Sequence, residues 1–132
     1  MAIQERSAVV ALVEYEGRIL VGRKIVCDHW LSDQWHMPGG HVKEGETDEG
    51  ALRREMKEET NIEIRIFELL AEYQSPKGTK VRWYRCEPLT HELQAGDDLA
   101  EIRYMTRREA LNICNPQLVA LWPKEIIDYL RQ

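Results

Sequence analysis

The chain has 132 residues, which is long enough to bury the core of one domain and too short for two ordinary domains. With 43% hydrophobic and 31% charged residues, its composition is typical of a globular protein. Its net charge of -5 argues against a general binder of nucleic acid polymers or membrane surfaces, because such proteins need a basic face. Three scattered cysteines, no long apolar run and a start without the apolar core of a signal peptide predict a single cytoplasmic domain over residues 1–132, with reduced thiols.

Two apolar stretches near the start of the chain predict a β-hairpin. Ser7–Tyr15 is rich in β-branched residues and nearly all apolar, which is typical of a strand covered on both faces. A Glu16-Gly17 turn separates it from Arg18–Lys24, the second predicted strand. Residues 27–34 are loop-like, and residues 47–60 have the periodicity of a helix.

A second hairpin and a last strand are predicted in the middle of the chain. Residues 62–73 begin with apolar and polar residues in alternation, the period of a half-buried strand. After a turn at 74–78, residues 79–87 supply the partner strand. Residues 99–105 predict one further strand.

The C-terminal part of the chain predicts helices. The segment 106–112 opens with Thr106 and Glu109 at the spacing of a capping box. A final helix starts at Asn115-Pro116, and Pro123 either kinks it or restarts it. This order of strands and helices alone supports one domain of the α/β or α+β class.

The helix predicted at 47–60 carries three glutamates on one face, Glu55, Glu58 and Glu59. Glu55 forms like-charge pairs with both others at helical spacing, and each pair costs about 0.2 to 0.5 kcal/mol. The glutamates also lie in the last turns of the helix, where its dipole disfavours anions. Local rules broken in this way usually mark a functional site. The alternative is an acidic face that simply contacts water.

The segment before this helix weakens that alternative. Pro38-Gly39-Gly40 predicts a tight loop, poor in side chains, whose backbone can approach a ligand closely. Glu46 follows before the helix begins. Free carbonyls and clustered carboxylates are oxygen ligands, which suit a hard divalent cation such as Mg²⁺.

Gly40, Glu46 and residues 54–62 together resemble the Nudix box, G-x5-E-x7-R-E-U-x-E-E-x-G-U, in which U is a bulky apolar residue. Each fixed position is met except Asn61, where the family has glycine. A left-handed residue is commonly needed just past a helix, and asparagine is the best substitute for glycine in that conformation. By this box the chain is identified as a member of the Nudix hydrolase family.

The resemblance implies an α/β/α sandwich with a mixed, mainly antiparallel sheet between helices. It also implies Mg²⁺-dependent hydrolysis of a diphosphate linkage, with Mn²⁺ as a substitute ion. The metal ligands are then expected to be Glu55, Glu58, Glu59 and the backbone carbonyl of Gly40. The general base is expected to be Glu58, Glu59 or Glu101. Some family members place an extra glutamate, as at Glu101, before an aromatic residue of the last strand; the alternative is that Glu101 is a solvent-facing glutamate of that strand.

Arg54 and Glu46 are expected to support these ligands. Arg54 can reach Glu58 at i,i+4 spacing and Glu46 in the preceding loop, and so hold a carboxylate in place and offset the repulsion. A loop tryptophan, Trp30, either stacks on a base or packs locally. The residues predicted to contact substrate are Arg23, Trp30, His36 and Arg82.

A nucleoside triphosphate, cleaved to monophosphate and pyrophosphate, is the leading substrate. The run W-x-x-P-G-G-H-V-x-x-G-E at 35–46 resembles small triphosphate-cleaving members of the family. ADP-ribose or another nucleoside diphosphate sugar is the alternative within the family. A non-catalytic module that senses a nucleotide is the alternative from another class, although such modules often lose box carboxylates that this chain retains. The expected partner is a small nucleotide, and a homodimer stays open because many relatives dimerise.

Overall fold

The structure, a computed structural model, describes residues 6–132, which form seven strands and four helices. The strands are β1 Ser7–Tyr15, β2 Arg18–Lys24, β3 Trp35–His36, β4 Gly39–His41, β5 Ile64–Gln74, β6 Lys80–Pro88 and β7 Leu99–Thr106. The helices are α1 Asp48–Thr60, α2 Arg107–Ile113, α3 Pro116–Val119 and α4 Lys124–Leu130. None of the helices in this described range has the length and apolar character needed to cross a membrane. Residues 1–5, on which the prediction of a start without a signal peptide depends, lie outside the described residues.

The strands form a mixed sheet in the order β3-β2-β1-β6-β5, with β4 beside β1 and β7 beside β2. β1 and β6 run parallel, with Val9 opposite Arg82, and the other strand pairs are antiparallel. Both predicted hairpins are present, β1 with β2 and β5 with β6. The prediction of a mixed, mainly antiparallel sheet is confirmed.

Two apolar cores lie on opposite faces of this sheet, because successive residues of β1 point to opposite sides. Val9, Ala11 and Val13 pack with α1, whereas Leu12 packs with α2 and α4. The helices contribute fully buried residues to these cores, namely Ala51, Leu52 and Met56 from α1, Ala110 from α2, and Ile126 and Leu130 from α4. The sheet is thus enclosed between α1 on one face and α2 with α4 on the other, as an α/β/α sandwich.

Hydrogen bonds cap both ends of α1, the helix that carries the glutamates. The side chain of Thr47 accepts from the amide of Gly50 at 3.0 Å. At the other end, Asn61 has a left-handed backbone with φ of 64°, and its amide donates to the carbonyl of Lys57. Its side chain donates to the carbonyl of Glu92 at 3.1 Å, a bond that glycine would lack. Asn61 therefore provides the left-handed helix end expected of the family glycine.

The structure changes the prediction for the glycine segment and decides the one for the last helix. Gly39–His41 is a short strand and not a loop: Gly39 lies so close to β1 that a Cβ atom on it would be 2.2 Å from the carbonyl oxygen of Val9. A three-residue strand is too short to leave a clear alternation in the sequence. Near the C-terminus, Pro123 stands at the start of α4 after α3 has ended, so the helix restarts.

All three cysteines are free thiols. Cys86 and Cys114 are buried, and burial raises the pKa of each thiol to about 12. Neither is therefore a nucleophile at neutral pH, since the thiolate is the reactive form. Cys27 is exposed in the loop after β2.

Candidate active site

The glutamates of α1 meet the glycines of β4. The amide of Gly39 donates a hydrogen bond to Oε2 of Glu59 at 3.1 Å. Gly40 lies directly against Glu55, since a Cβ atom on Gly40 would be 2.5 Å from Oε1 of that carboxylate. A side chain at position 40 would therefore displace Glu55. Glu59 is only 5% exposed and the side chain of Glu58 is 46% exposed, so the cluster extends from the interior to the surface.

Arg54 is the cation at the centre of this cluster. Its guanidinium binds Glu46 with two hydrogen bonds, of 2.8 and 3.0 Å, and binds Oε1 of Glu55 at 2.9 Å. It also reaches Glu58 at 3.4 Å and donates to the carbonyl of His41 at 3.1 Å. The hydrogen bonds from Arg54 are the largest cause that lowers the pKa of Glu46 to about 2. Arg54 thus contacts both glutamates that its spacing indicated.

The cluster nevertheless holds more negative than positive charge. Glu59 forms no ion pair within residues 6–132, and burial raises its pKa to about 8, with the charge of Glu55 adding to the effect. Burial also raises the pKa of Glu55, and the charge of Glu58 acts in the same direction, although Arg54 opposes both. Within residues 6–132, Glu59 therefore has no cationic partner, and Arg54 compensates the charge of Glu55 only in part.

These residues fit a divalent cation. All the donors are oxygens, which Mg²⁺ and similar hard ions prefer, and a cation would compensate Glu55 and Glu59. The missing side chain of Gly40 leaves space beside Glu55 that a Cβ atom would fill. In the described part of the chain, no three acidic, histidine or cysteine side chains already surround a common point, and Arg54 holds Glu55 and Glu58 toward itself. Binding therefore requires these two side chains to turn from Arg54 toward the ion.

Comparison with known proteins decides the family. A family model described as the NUDIX domain matches residues 4–130. The chain belongs to the Nudix family. It is 31% identical over 129 residues to an ADP-ribose pyrophosphatase of Methanocaldococcus jannaschii, an alignment that covers 94% of this chain and 72% of that protein. An RNA pyrophosphohydrolase of Novosphingobium aromaticivorans is 38% identical over 63 residues, which covers 48% of this chain and 38% of that protein.

Solved structures agree with this assignment. A NUDIX hydrolase from Nitrosomonas europaea superposes with a TM-score of 0.83 at 21% identity, covering 99% of this chain and 73% of that chain. At such low identity the likeness establishes the fold alone. The predicted family and fold class are confirmed, and the protein is a Nudix hydrolase.

A second acidic segment, which sequence reasoning missed, lies against α1, the helix of the Nudix box, here called the Nudix helix. The amide of Gly96 donates to the carbonyl of Glu59 at 3.0 Å. The charges of Asp98 and Asp97 act on the carboxylate of Glu59 and add to the effects of burial and Glu55 on its pKa. Gly-Asp-Asp is a typical turn composition and was the available signal. No local pattern, however, relates this turn to a helix that ends far earlier in the chain.

Glu101 and Arg23 lie together, apart from the glutamates of the Nudix helix. Oε1 of Glu101 accepts from Arg23 at 3.4 Å, and Oε2 accepts from Arg103 at 3.0 Å. Along β7, Glu101 and Arg103 alternate with Tyr104, which packs in the core beside α1, so they point to the opposite face. Arg23 also binds Asp33 at 2.7 Å. The structure therefore does not bring Glu101, a predicted general base, to the glutamates of α1.

His36 and Trp30, two predicted substrate contacts, differ in their exposure. Burial lowers the pKa of His36, and its Nδ1 lies 3.0 Å from the carbonyl oxygen of Met37. His36 is therefore a neutral imidazole at neutral pH. Trp30 is 66% exposed in the loop after β2, where its ring stacks near that of His29. Its ring is therefore accessible to a planar ligand.

Arg82, the remaining predicted substrate contact, is bound by the first residue of the Nudix helix. It forms two hydrogen bonds with Asp48, of 2.6 and 2.8 Å, and the hydroxyl of Tyr84 donates to the same carboxylate at 2.5 Å. Arg85 points to the other face of β6, where it binds Glu68 at 3.2 Å. Arg82 thus anchors the start of α1 to β6 and has its charge compensated there.

Proposed function

We propose that this Nudix hydrolase cleaves, with Mg²⁺, the diphosphate linkage of a nucleoside diphosphate derivative. The observation that carries the proposal is the carboxylate pair Glu55 and Glu59, packed against two glycines. Arg54 compensates Glu55 only in part, and Glu59 has no cationic partner within residues 6–132. Buried charge without a partner is unfavourable in a protein that binds no cation. A divalent cation at this position offsets that cost.

Carboxylate and carbonyl oxygens from two elements, β4 and α1, would hold the cation. The proposed ligands are the carbonyl of Gly40 and the side chains of Glu55, Glu58 and Glu59. Bound Mg²⁺ supplies the positive charge that neutralises the substrate phosphates and favours attack at phosphorus. Arg54 keeps Glu46 as a partner through two hydrogen bonds, and so stays beside the ligands and limits their mutual repulsion.

We assign the general base to Glu58. Its side chain is 46% exposed, against 14% for Glu55, so water reaches it more freely. Glu59 is nearly buried and accepts a hydrogen bond from Gly39. An aligned base that accepts the proton of the attacking water typically adds about 10² to 10⁴-fold to the rate.

Two substrates have specific support. The run of residues 35–46 resembles small triphosphate-cleaving members and favours a nucleoside triphosphate, cleaved to monophosphate and pyrophosphate. The relative that aligns over 94% of the chain is an ADP-ribose pyrophosphatase, and this favours ADP-ribose as the second candidate. The RNA pyrophosphohydrolase relative aligns over about half of the chain, and the net charge of -5 disfavours a polymer.

A substrate panel in Mg²⁺ tests the proposal. The panel contains the nucleoside triphosphates, ADP-ribose, other nucleoside diphosphate sugars and a 5′-triphosphorylated RNA oligonucleotide, and chromatography identifies the products. We expect pyrophosphate with a monophosphate from a triphosphate, or AMP with ribose phosphate from ADP-ribose. Binding without turnover of every compound would instead indicate a nucleotide-sensing module.

Two variants of α1 complete the test. Glu58→Gln should abolish Mg²⁺-dependent turnover without unfolding the protein. Glu49→Gln is the matched control, because Glu49 lies on the same helix but is exposed and pairs with Arg53. Glu49→Gln should retain activity. Full activity in Glu58→Gln would contradict the role assigned to this glutamate.

A further inference from the structure

Residues 96–98, here called the Asp97 turn, precede β7 and lie on the last turn of α1. The amide of Gly96 donates to the carbonyl of Glu59, and the amide of Leu99 closes the turn on the carbonyl of Gly96, both at 3.0 Å. Asp97 has a left-handed backbone, with φ of 53°. The turn therefore packs on the backbone of the helical turn that carries Glu58 and Glu59.

The close contact between the Asp97 turn and α1 depends on glycine at position 96. A Cβ atom there would be 2.4 Å from the carbonyl oxygen of Glu58, closer than real Cβ atoms approach such an atom. The backbone just before the turn also runs along the end of α1, since the amide of Gln94 donates to the carbonyl of Thr60 at 3.1 Å. A larger residue at 96 must push the turn away from the helix.

Lys24, the last residue of β2, holds the other side of the turn. Its ammonium group binds the carboxylate of Asp98, and the amide of the next residue, Ile25, donates to the carbonyl of Asp98 at 2.9 Å. Lys24 is only 9% exposed, and lysine is seldom buried to this extent unless it is paired. The turn is thus attached to α1 by backbone contacts and to β2 by an ion pair whose lysine is largely buried.

We propose that Lys24 is a positioning residue for the cation site: through Asp98 it fixes the Asp97 turn on α1 and keeps the charge of Asp97 beside Glu55 and Glu59, where it strengthens cation binding. This inference rests on the cation site proposed above. The hydrogen bond from Gly96 to the carbonyl of Glu59 places the turn on the part of α1 that carries Glu58 and Glu59.

A purely electrostatic effect of Lys24 would have the opposite sign. Lys24 is a cation near the site, and its charge adds to the effect of burial in lowering the pKa of His36. On Coulomb grounds alone, removing this charge strengthens the binding of a divalent cation. Loss of positioning weakens that binding. The direction of the change therefore separates the two roles.

Calorimetric titration of the full chain with Mg²⁺, without nucleotide, tests the inference. Lys24→Met should weaken Mg²⁺ binding about 10-fold, the effect typical of losing a group that supports metal ligands. Lys24→Arg, which retains the ion pair, should restore most of the affinity. The double variant Lys24→Met with Asp98→Asn should bind as weakly as Lys24→Met alone, because both changes remove the same contact. Unchanged or tighter binding in Lys24→Met would overturn the inference.

Gly96→Ala should displace the same turn from α1 while the ion pair of Lys24 with Asp98 stays intact. It replaces Lys24→Met in the test if that variant does not fold. It should weaken Mg²⁺ binding to a similar extent. In turnover assays both variants should need more Mg²⁺ for half-maximal rate, with the rate at saturating Mg²⁺ retained. A raised KM for nucleotide with unchanged Mg²⁺ affinity would instead show that Lys24 binds substrate, and would overturn the inference.

The wild-type titration separates the failure of this inference from that of the proposed function. If the wild-type protein binds no Mg²⁺, the proposed function fails and the inference fails with it. If the wild type binds Mg²⁺ and the Lys24 and Gly96 variants bind it equally well, only the positioning role is wrong.

Discussion

Arg54 and Arg107 lie on opposite faces of the same sheet, and each binds a glutamate with two hydrogen bonds. Arg107 of α2 binds Glu14 of β1 at 2.6 and 3.0 Å, and Tyr129 of α4 contacts both residues. Burial by itself would raise the pKa of Glu14, but the bonds from Arg107 and Tyr129 leave it lowered. Beside Arg54, by contrast, the pKa of Glu59 is raised to about 8.

The two clusters differ in the ratio of their charges. The Arg107 cluster has one carboxylate for one guanidinium, so its groups satisfy one another and attach β1 to α2 and α4. The Arg54 cluster has several glutamates around one guanidinium, and no cation of the described residues pairs with Glu59. A balanced cluster stabilises the fold, whereas a cluster with excess charge and perturbed pKa values is suited to a ligand of opposite charge.

Glu59→Gln is expected to have the largest effect, since it removes a proposed ligand of the cation. Hydrolysis should fall by more than about 10²-fold, because losing a group that merely supports a ligand already costs 10- to 100-fold. The Mg²⁺-induced rise in melting temperature should also disappear, as expected when a ligand binds only the folded state. Turnover assays and thermal melts with and without Mg²⁺ measure both effects. A retained Mg²⁺ shift would place the cation elsewhere.

In the metal-free protein, the free energy of unfolding should depend on pH because Glu59 is buried with no cationic partner among the described residues. The pKa of Glu59 is raised from 4.5 to about 8 on folding, so the folded state binds its proton more tightly than the unfolded state. Its contribution to the free energy of unfolding is therefore full below pH 4.5 and declines as pH rises toward 8, by about 1.4 kcal/mol per pH unit. Urea unfolding in a chelator should show this decline in the wild type relative to Glu59→Gln. A difference independent of pH would contradict the burial of an unpaired carboxylate.

Glu14→Gln should have a smaller effect than Glu59→Gln. The contribution of Glu14 to the free energy of unfolding should also change with pH in the opposite direction to that of Glu59. The variant should lose about 2 kcal/mol of unfolding free energy at neutral pH, the value of a hydrogen bond to a charged group. The folded pKa of Glu14 is lowered, so its contribution is present above pH 4.5 and is lost as pH falls through the folded pKa. Urea unfolding of both proteins at neutral and acidic pH measures the difference, while turnover should stay unchanged. Equal stability at neutral pH would show that the cluster contributes nothing.

The elements predicted most closely are those with a strong local signal. The bounds of β1 and β2 agree with the structure because two apolar runs flank a single turn. Thr106 and Glu109 form the predicted capping box at α2, since that motif is complete within four residues. β3 and β4 have two and three residues, and their pairing with distant strands has no local counterpart in the sequence.

In the candidate site, too, short-range features could be predicted from the sequence and long-range features could not. The contacts of Arg54 with Glu58 and Glu46 are short-range and could be read from helix geometry. The burial of Glu59 and the ion pair of Lys24 with Asp98 depend on how separate strands and loops assemble. Glu101 shows the limit of motif reasoning, because its strand was predicted but the face that it occupies was not.

A matched pair of conservative substitutions, Arg54→Lys and Arg107→Lys, should give the smallest effects and the sharpest contrast. Lysine keeps the charge but loses the two-bond geometry, so each variant should lose about 1 kcal/mol of unfolding free energy. Arg107→Lys should leave hydrolysis unchanged, since Arg107 lies on the face of the sheet opposite the glutamates of α1. Arg54→Lys should also raise the Mg²⁺ concentration needed for half-maximal rate, because one ammonium group cannot hold Glu46 while it limits repulsion among the glutamates of α1. Equal activity in the two variants would mean that both arginines serve only the fold.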